Sequence, residues 1–336
     1  MNSPVTRHPS LVVAVALAAA SATAAGFRAA PVADYKEDAW SFGLSGGTAF
    51  VGGEAREHVF SPKSESAEYA RELGLPDDGK RHQVSRLDWD IAATMIGFSG
   101  SARYDRLSLN LGAWYGCSGS DDWEMEDYDW LEGDHVKYSE SSKSGTELTD
   151  AWMFDANVSL DFWRDDAFTA YAFIGFRSQQ WEWECDGRND YWYSDNNHVW
   201  THDYGHTCDY KQNFLFGYLG LGGTWAISDT VEFSAYASWA PRYMGKDHDK
   251  HLAADKDFRE TFDYDDGEVY AAGIELAWRA VENLKIAFAL DWQKATLHEG
   301  DMKLDDYGEG EKAKQDDGAG YESQYAALSF GVNYTF

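Results

Sequence analysis

The chain has 336 residues, with 58 Asp and Glu against 28 Lys and Arg, a formal net charge of −30, and 16% aromatic residues. This acid excess excludes an ordinary nucleic-acid-binding surface, which needs a connected face of Lys and Arg to meet phosphates. The high aromatic content excludes a largely disordered chain. The charge therefore favours basic peptides or proteins as partners and argues against nucleic acid.

The first residues predict export from the cytoplasm. A basic start precedes an apolar run over residues 11–20, and Ala22-Thr23-Ala24 has the form of a signal-peptidase site. We therefore assign residues 1–25 to a signal peptide and residues 26–336 to one mature domain. The mature part has no apolar run near the roughly 20 residues of a spanning helix, which leaves a secreted protein or a barrel.

Cysteine usage agrees with export, because disulfides form and persist outside the cytoplasm. Cys185 and Cys208 could pair with each other, which would leave Cys117 as a free thiol.

From residue 40 onward, apolar and polar residues alternate with a period of two, which is typical of β-strands with one apolar face. The C-terminal segment shows this clearly, with Leu328, Phe330 and Val332 separated by Ser329 and Gly331. The pattern predicts ten strands, at about 40–52, 86–104, 107–117, 151–163, 167–184, 211–226, 231–244, 268–280, 284–296 and 322–336.

The connections between these segments alternate between short turns and long polar loops. The long ones are near 53–85, 118–150, 185–210, 245–267 and 297–321. The predicted fold is therefore all-β: a ten-stranded antiparallel transmembrane β-barrel with long extracellular loops and short periplasmic turns. Closure is required in lipid because an open sheet edge would leave backbone groups unpaired. A secreted antiparallel sandwich is the alternative reading of the same pattern.

Two acidic clusters in the long loops are candidates for chemistry. Asp127 and Asp129 are two residues apart, so in an extended segment both carboxylates point to the same side. Asp247, Asp249 and His251 repeat this spacing. Four strands of ten separate the clusters, which would place them opposite each other across the mouth of a barrel. An imidazole held by one carboxylate and facing two others could activate a water molecule.

Other interpretations of these residues stay open on the pattern alone. Acidic loops can simply be solvated, or the same oxygens could bind calcium. A calcium-dependent soluble β-protein, with its calcium site around Asp255 and Asp257, is a further alternative. A non-catalytic barrel whose acidic loops form an adhesive or cation-binding surface is the main alternative function. One further metal-like pattern falls in the loop 185–210, with the residues His198, His202, His206 and Cys208.

Five stretches of the sequence resemble the omptins, the outer-membrane endopeptidases of Gram-negative bacteria, and the similarity extends over the whole mature chain. These stretches are Gly53 to Phe60, Val84 to Trp89, Met125 to Trp130, Tyr210-Lys211-Gln212 and Asp247 to His251.

The resemblance implies that Asp249 and His251 activate the water and that Asp127 and Asp129 form the facing pair. It also implies cleavage between two basic residues, with Glu57 and Asp247 holding the basic side chain before the scissile bond. A monomer in the outer membrane, with its active site facing the outside and no metal or organic cofactor, is expected.

The sequence differs from the family at the lipopolysaccharide-binding positions. Where the family has Tyr, Glu and Arg on strand five, this chain has Phe176, Ser178 and Gln180, and Asn213 replaces an Arg on strand six. Lipopolysaccharide is the activator that the family would imply, and these changes put that dependence in question.

Overall fold

A computed structural model describes residues 27–28, 34–63, 70–71, 81–117, 123–130, 140–193, 196–252, 255–262 and 267–336. The predicted signal peptide at residues 1–25 lies outside these ranges, so its assignment stays a prediction. Among the described residues, no helix has the length and apolar character needed to cross a membrane.

Thirteen strands make up the described secondary structure. They are β1 (Trp40–Phe60), β2 (Gln83–Tyr104), β3 (Leu107–Cys117), β4 (Trp123–Asp129), β5 (Glu140–Arg164), β6 (Phe168–Tyr193), β7 (Asn196–Ala226), β8 (Val231–Ala240), β9 (Met244–His251), β10 (Lys256–Phe262), β11 (Val269–Val281), β12 (Leu284–Asp306) and β13 (Glu311–Thr335).

All of these strands pair in an antiparallel manner within one sheet, and the sheet closes on itself. A continuous path of hydrogen-bonded neighbours leads through β1, β2, β3, β5, β6, β7, β8, β11, β12 and β13 and back to β1. Closure leaves no strand edge open along this path, which is the condition for a sheet in lipid.

The other three strands lie beyond this path, at one end of the sheet. β4 lies between β2 and β5, β9 between β7 and β10, and β10 between β9 and β12. The opposite end carries short connections, such as Asp105-Arg106, where Asp105 has a φ of 50°. Aspartate is one of the few non-glycine residues that tolerate this left-handed conformation.

An apolar belt surrounds the outside of the sheet near the end with the short turns. Large side chains that would normally be buried are exposed here, among them Leu44, Phe50, Ile96, Phe98, Leu109, Tyr115, Phe154, Ile174, Leu219, Trp239, Leu290 and Leu328. An exposed apolar surface of this extent marks contact with lipid. The belt thereby explains the period-two pattern of the sequence.

The predicted long loops are wrong over much of their described length. β5 already begins at Glu140, and β6 continues to Tyr193. β7 begins at Asn196, and β12 continues to Asp306. Beyond the belt neither face of a strand meets lipid, so both faces are polar and the alternation disappears although backbone pairing continues. The separate strands β9 and β10 likewise replace most of the predicted loop 245–267.

The interior of the sheet holds polar and aromatic side chains. Arg177 forms a salt bridge to Asp155 at 3.0 Å and donates a hydrogen bond to Gln293. Near the N-terminus, the Phe27 ring packs against Trp114 with its centroid at 5.2 Å. Paired polar groups can fill a closed sheet without leaving uncompensated charges.

Candidate active site

The acidic clusters lie on strands, beyond the apolar belt and far from the short turns. Asp127 and Asp129 are on β4, and Asp247, Asp249 and His251 are on β9. Because successive side chains alternate, each cluster presents all its members to one face of its strand. The sequence pattern predicts long loops at both clusters, whereas the structure places them on strands.

His251 and Asp249 form a close pair. Nε2 of His251 and Oδ2 of Asp249 are 2.6 Å apart, and the ring of Phe258 meets the imidazole edge-on with centroids 5.3 Å apart. The side chain of Asp249 is 3% exposed and that of His251 is 31% exposed, so the carboxylate is fixed while the imidazole reaches the open cleft.

The charges around His251 change its protonation. Burial lowers the pKa of the imidazole, but the charge and hydrogen bond of Asp249, together with the charge of Asp127, raise it overall to about 9. Asp127 lies on β4, so the charge of a residue on another strand acts on this imidazole.

Asp127 responds to the same neighbours. Burial and the charge of Asp129 raise the pKa of its carboxyl to about 7, against the opposing influence of His251 and Ser85. The hydroxyl of Ser85 donates to Oδ1 of Asp127 over 3.3 Å. The charges of Asp129, His251 and Asp249 thus all act on the Asp127 carboxyl.

Glu57 and Asp247 lie beside this group and are deeply buried, with 2% and 5% exposure. Burial raises the pKa of Glu57 well above its usual range, and the charges of Asp249 and Asp247 raise it further. Burial also raises the pKa of Asp247, to about 7. The Tyr210 hydroxyl donates to Asp247 over 3.3 Å and accepts a hydrogen bond from Gln212.

Glu260 is a third acid in this neighbourhood that the sequence analysis did not identify. It lies on β10 directly opposite Asp247 on β9 and is 2% exposed. The alternation of Phe258 and Glu260 with the outward Asp257 and Arg259 could have shown that it faces inward. What the sequence did not show is that β10 lies next to β9 with this register.

Aromatic rings form the base of the cleft. Tyr210 stacks on Trp89 with centroids 4.4 Å apart and on Trp183 with centroids 5.6 Å apart. Packed rings with a polar tip give a rigid apolar floor that also supports hydrogen bonds.

The metal patterns find little support among the described residues. Cys208 is in a disulfide with Cys185, which confirms the suggested pairing and removes a thiolate ligand from the pattern. His206 pairs with Asp209, while the side chains of His198 and His202 lie outside the described part. No cluster of three or more metal-ligating side chains occurs in that described part.

The alternative calcium site at Asp257 is not supported either. Its two oxygens bond instead to His248, to Arg259 and to the hydroxyl of Tyr307, all at 2.7–2.9 Å.

Comparison with known proteins places this chain in a family. Residues 39–336 match the model of the omptin family. The chain is 26% identical to the plasminogen activator of Yersinia pestis over 83% of this chain and 87% of that protein. It is 25% identical to the outer membrane protease OmpP of Escherichia coli K12, over 78% of this chain and 84% of the relative.

A solved structure has the same fold. The crystal structure of the Escherichia coli outer membrane protease OmpT superposes with a TM-score of 0.76 at 20% identity, covering 90% of this chain and 98% of OmpT. The predicted location in the outer membrane of a Gram-negative bacterium, with the site facing the outside, is confirmed. The chain belongs to the omptin family.

Proposed function

We propose that the protein is an outer-membrane endopeptidase that hydrolyses cationic peptides and proteins at basic, preferably dibasic, sites. Its relative OmpP is a protease by name, which supports hydrolysis of peptide bonds. The observation that carries the mechanism is the 2.6 Å pair of His251 and Asp249. The charge of Asp127 on β4 acts on the same imidazole.

In the proposed reaction, a water molecule between His251 and the Asp127–Asp129 pair attacks the scissile carbonyl carbon. The neutral imidazole takes the proton that the water loses, and Asp249 stabilises the resulting imidazolium. When the tetrahedral intermediate collapses, the carbon–nitrogen bond breaks and the imidazolium gives its proton to the leaving amine. The enzyme returns to its starting state without a covalent intermediate, and the step uses neither a metal nor an organic cofactor.

Glu57 and Asp247 are the proposed binding groups for the basic side chain before the scissile bond. A buried Arg or Lys is costly unless it is paired, and buried carboxylates supply the partners. The strongly acidic chain also attracts cationic substrates from solution before they enter the cleft.

The membrane arrangement is part of the same proposal. We infer a monomeric barrel in which ten strands cross the membrane, while β4, β9 and β10 continue three of them on the outside. This count follows from the closed path of pairings, in which these three strands are not needed for closure. Outer-membrane lipid is then the partner of the apolar belt.

A dibasic peptide assay tests the catalytic proposal. Refolded protein should cleave a fluorogenic peptide containing Arg-Arg, and His251→Ala should reduce turnover by about 10²–10⁴-fold because it removes the general base. His248→Ala is a matched control, since His248 lies on the same strand with its own aspartate partner at 2.7 Å but bonds to Asp257, away from the cleft.

Undiminished cleavage by the His251→Ala variant would contradict the mechanism. Absence of cleavage by the wild-type protein, combined with binding of cationic peptides, would instead favour the non-catalytic cation-binding barrel. The close pair of His251 and Asp249 supports the catalytic proposal, since an adhesive acidic surface does not need such a pair.

A further inference from the structure

Three carboxyl groups on three strands meet beside the proposed catalytic group. Glu57 on β1, Asp247 on β9 and Glu260 on β10 are each at most 5% exposed. In the described part of the chain, four of their buried oxygens accept no hydrogen bond: Oε2 of Glu57, Oδ1 of Asp247 and both oxygens of Glu260. Buried polar atoms without partners are rare in folded proteins and need an explanation.

The three buried acids lie near one another at an energetic cost. Burial raises the pKa of Glu260 well above its usual range, and the charges of Asp247 and Glu57 raise it further. Glu260 lies directly opposite Asp247 in the ladder between β9 and β10, so the two carboxyls repel each other when both are charged. Such an arrangement is unfavourable for folding, and a cationic ligand would compensate for it.

We propose that Glu260 is a specificity-determining residue that completes this pocket with Glu57 and Asp247 and makes it select arginine over lysine. The inference rests on the proposed endopeptidase function and names the side chain that its pocket takes. The unpartnered oxygens come from three separate strands, so a ligand among them would meet carboxylates from more than one strand.

Guanidinium fits this distribution better than ammonium does. It is planar, carries five N–H donors in a fixed fork and keeps its charge under all relevant conditions. An ammonium has three donors around one point, and it is more strongly hydrated, so its burial costs more. Arginine can therefore satisfy carboxylates on several sides at once, whereas lysine leaves some of these oxygens without a donor.

The test compares two fluorogenic peptides that differ only in having Arg or Lys before the scissile bond. Wild-type protein should prefer the Arg peptide. Glu260→Gln keeps the size of the side chain but removes its charge, and should lower kcat/KM for the Arg peptide by about 10- to 100-fold, mainly through KM. The loss for the Lys peptide should be smaller, so the Arg/Lys ratio falls. Glu260→Asp should retain part of the preference.

Glu299→Gln is the matched control, because it removes the same charge from the neighbouring strand β12 at a side chain that is 52% exposed. It should leave the ratio unchanged. A fall in activity caused by poor folding would affect both peptides equally and would also leave the ratio unchanged.

The outcomes separate the two proposals. If wild-type protein cleaves neither peptide, the endopeptidase proposal fails. If it cleaves both and Glu260→Gln keeps the wild-type Arg/Lys ratio, the role of Glu260 is refuted while the proposed function stands.

Discussion

Cys208 lies directly opposite His251 in the ladder between β7 and β9, and it is disulfide-bonded to Cys185 on β6. β9, which carries His251, therefore pairs with β7, and the disulfide fixes β7 to its other neighbour, β6. Both cysteines are buried, so this covalent link is part of the wall next to the imidazole.

Removing this disulfide should weaken the wall beside His251. A disulfide that spans 23 residues contributes about 2–4 kcal/mol, because it restricts the unfolded chain. We expect the double variant Cys185→Ser, Cys208→Ser to unfold at lower temperature and to show a lower kcat with little change in KM. Circular dichroism melting and dibasic peptide kinetics measure the two effects. Equal melting temperatures and equal kcat would contradict the expectation.

The pH dependence of cleavage follows from the protonation of His251. Because the pKa of its imidazole is raised to about 9, the base form is scarce at neutral pH and increases as the pH rises. The ionised form of Asp127, whose pKa is about 7, also increases as the pH rises. We expect kcat/KM to rise between about pH 7 and pH 9, by up to about tenfold per pH unit. A profile that is flat from pH 5 to pH 9 would exclude His251 as the base.

Asp249→Asn should lower the maximum rate and also move the pH profile to lower pH. The substitution removes the main charge that raises the His251 pKa, so the rising part of the profile should move to lower pH. The maximum rate should fall by about 10²–10⁴-fold, because the imidazolium loses its stabilising partner. An unchanged pH midpoint together with a lower rate would mean that Asp249 acts only on folding.

Glu260→Gln should stabilise the free protein at alkaline pH. The pKa of Glu260 is raised on folding, so its favourable contribution is complete below the unfolded value of about 4.3 and is lost as the pH rises. We expect the variant to gain about 1–3 kcal/mol in the free energy of unfolding at pH 8 and almost nothing at pH 4. Urea unfolding in detergent micelles at both pH values measures the gain, and Glu299→Gln is again the control. A gain that is equal at both pH values would refute the charge explanation.

Lipopolysaccharide should have a small effect on activity. At the positions in question, Phe176 is exposed in the apolar belt and Gln180 donates its amide to Asp150 over 2.7 Å, so neither offers a cation to a phosphate. Without charge-assisted contacts there, we expect cleavage by refolded protein to change by less than about threefold on addition of lipopolysaccharide. Strict dependence on lipopolysaccharide would show that other residues of this chain bind it.

Sequence patterns predict the fold best where the strands contact lipid. β11 at Val269–Val281 matches the predicted segment 268–280 almost residue for residue, because its outward side chains must be apolar. β13 begins at Glu311, well before the predicted 322, because its first residues are polar on both faces and leave no periodic signal. The boundaries outside the belt therefore could not be read from alternation.

For the candidate site, too, the sequence predicts some features and not others. The spacing of Asp127 with Asp129, and of Asp249 with His251, predicts that each pair shares a face, since alternation is a local property. Glu260 could not be found in this way. Its importance comes from the pairings that connect β1 to β9 and β10 through β13 and β12, and no single segment of the sequence contains the information on these pairings.

The continuation of the strands past the apolar belt sets a distance between the chemistry and the lipid. Along β1, Glu57 follows the lipid-facing Phe50, and a tilted strand with a rise of about 3.3 Å per residue lifts it roughly 15–20 Å above that point. A peptide lying flat at the level of Phe50 is this far below the site, whereas one in solution can enter the cleft directly. The enzyme would then destroy membrane-active peptides during their approach and spare those that have already inserted.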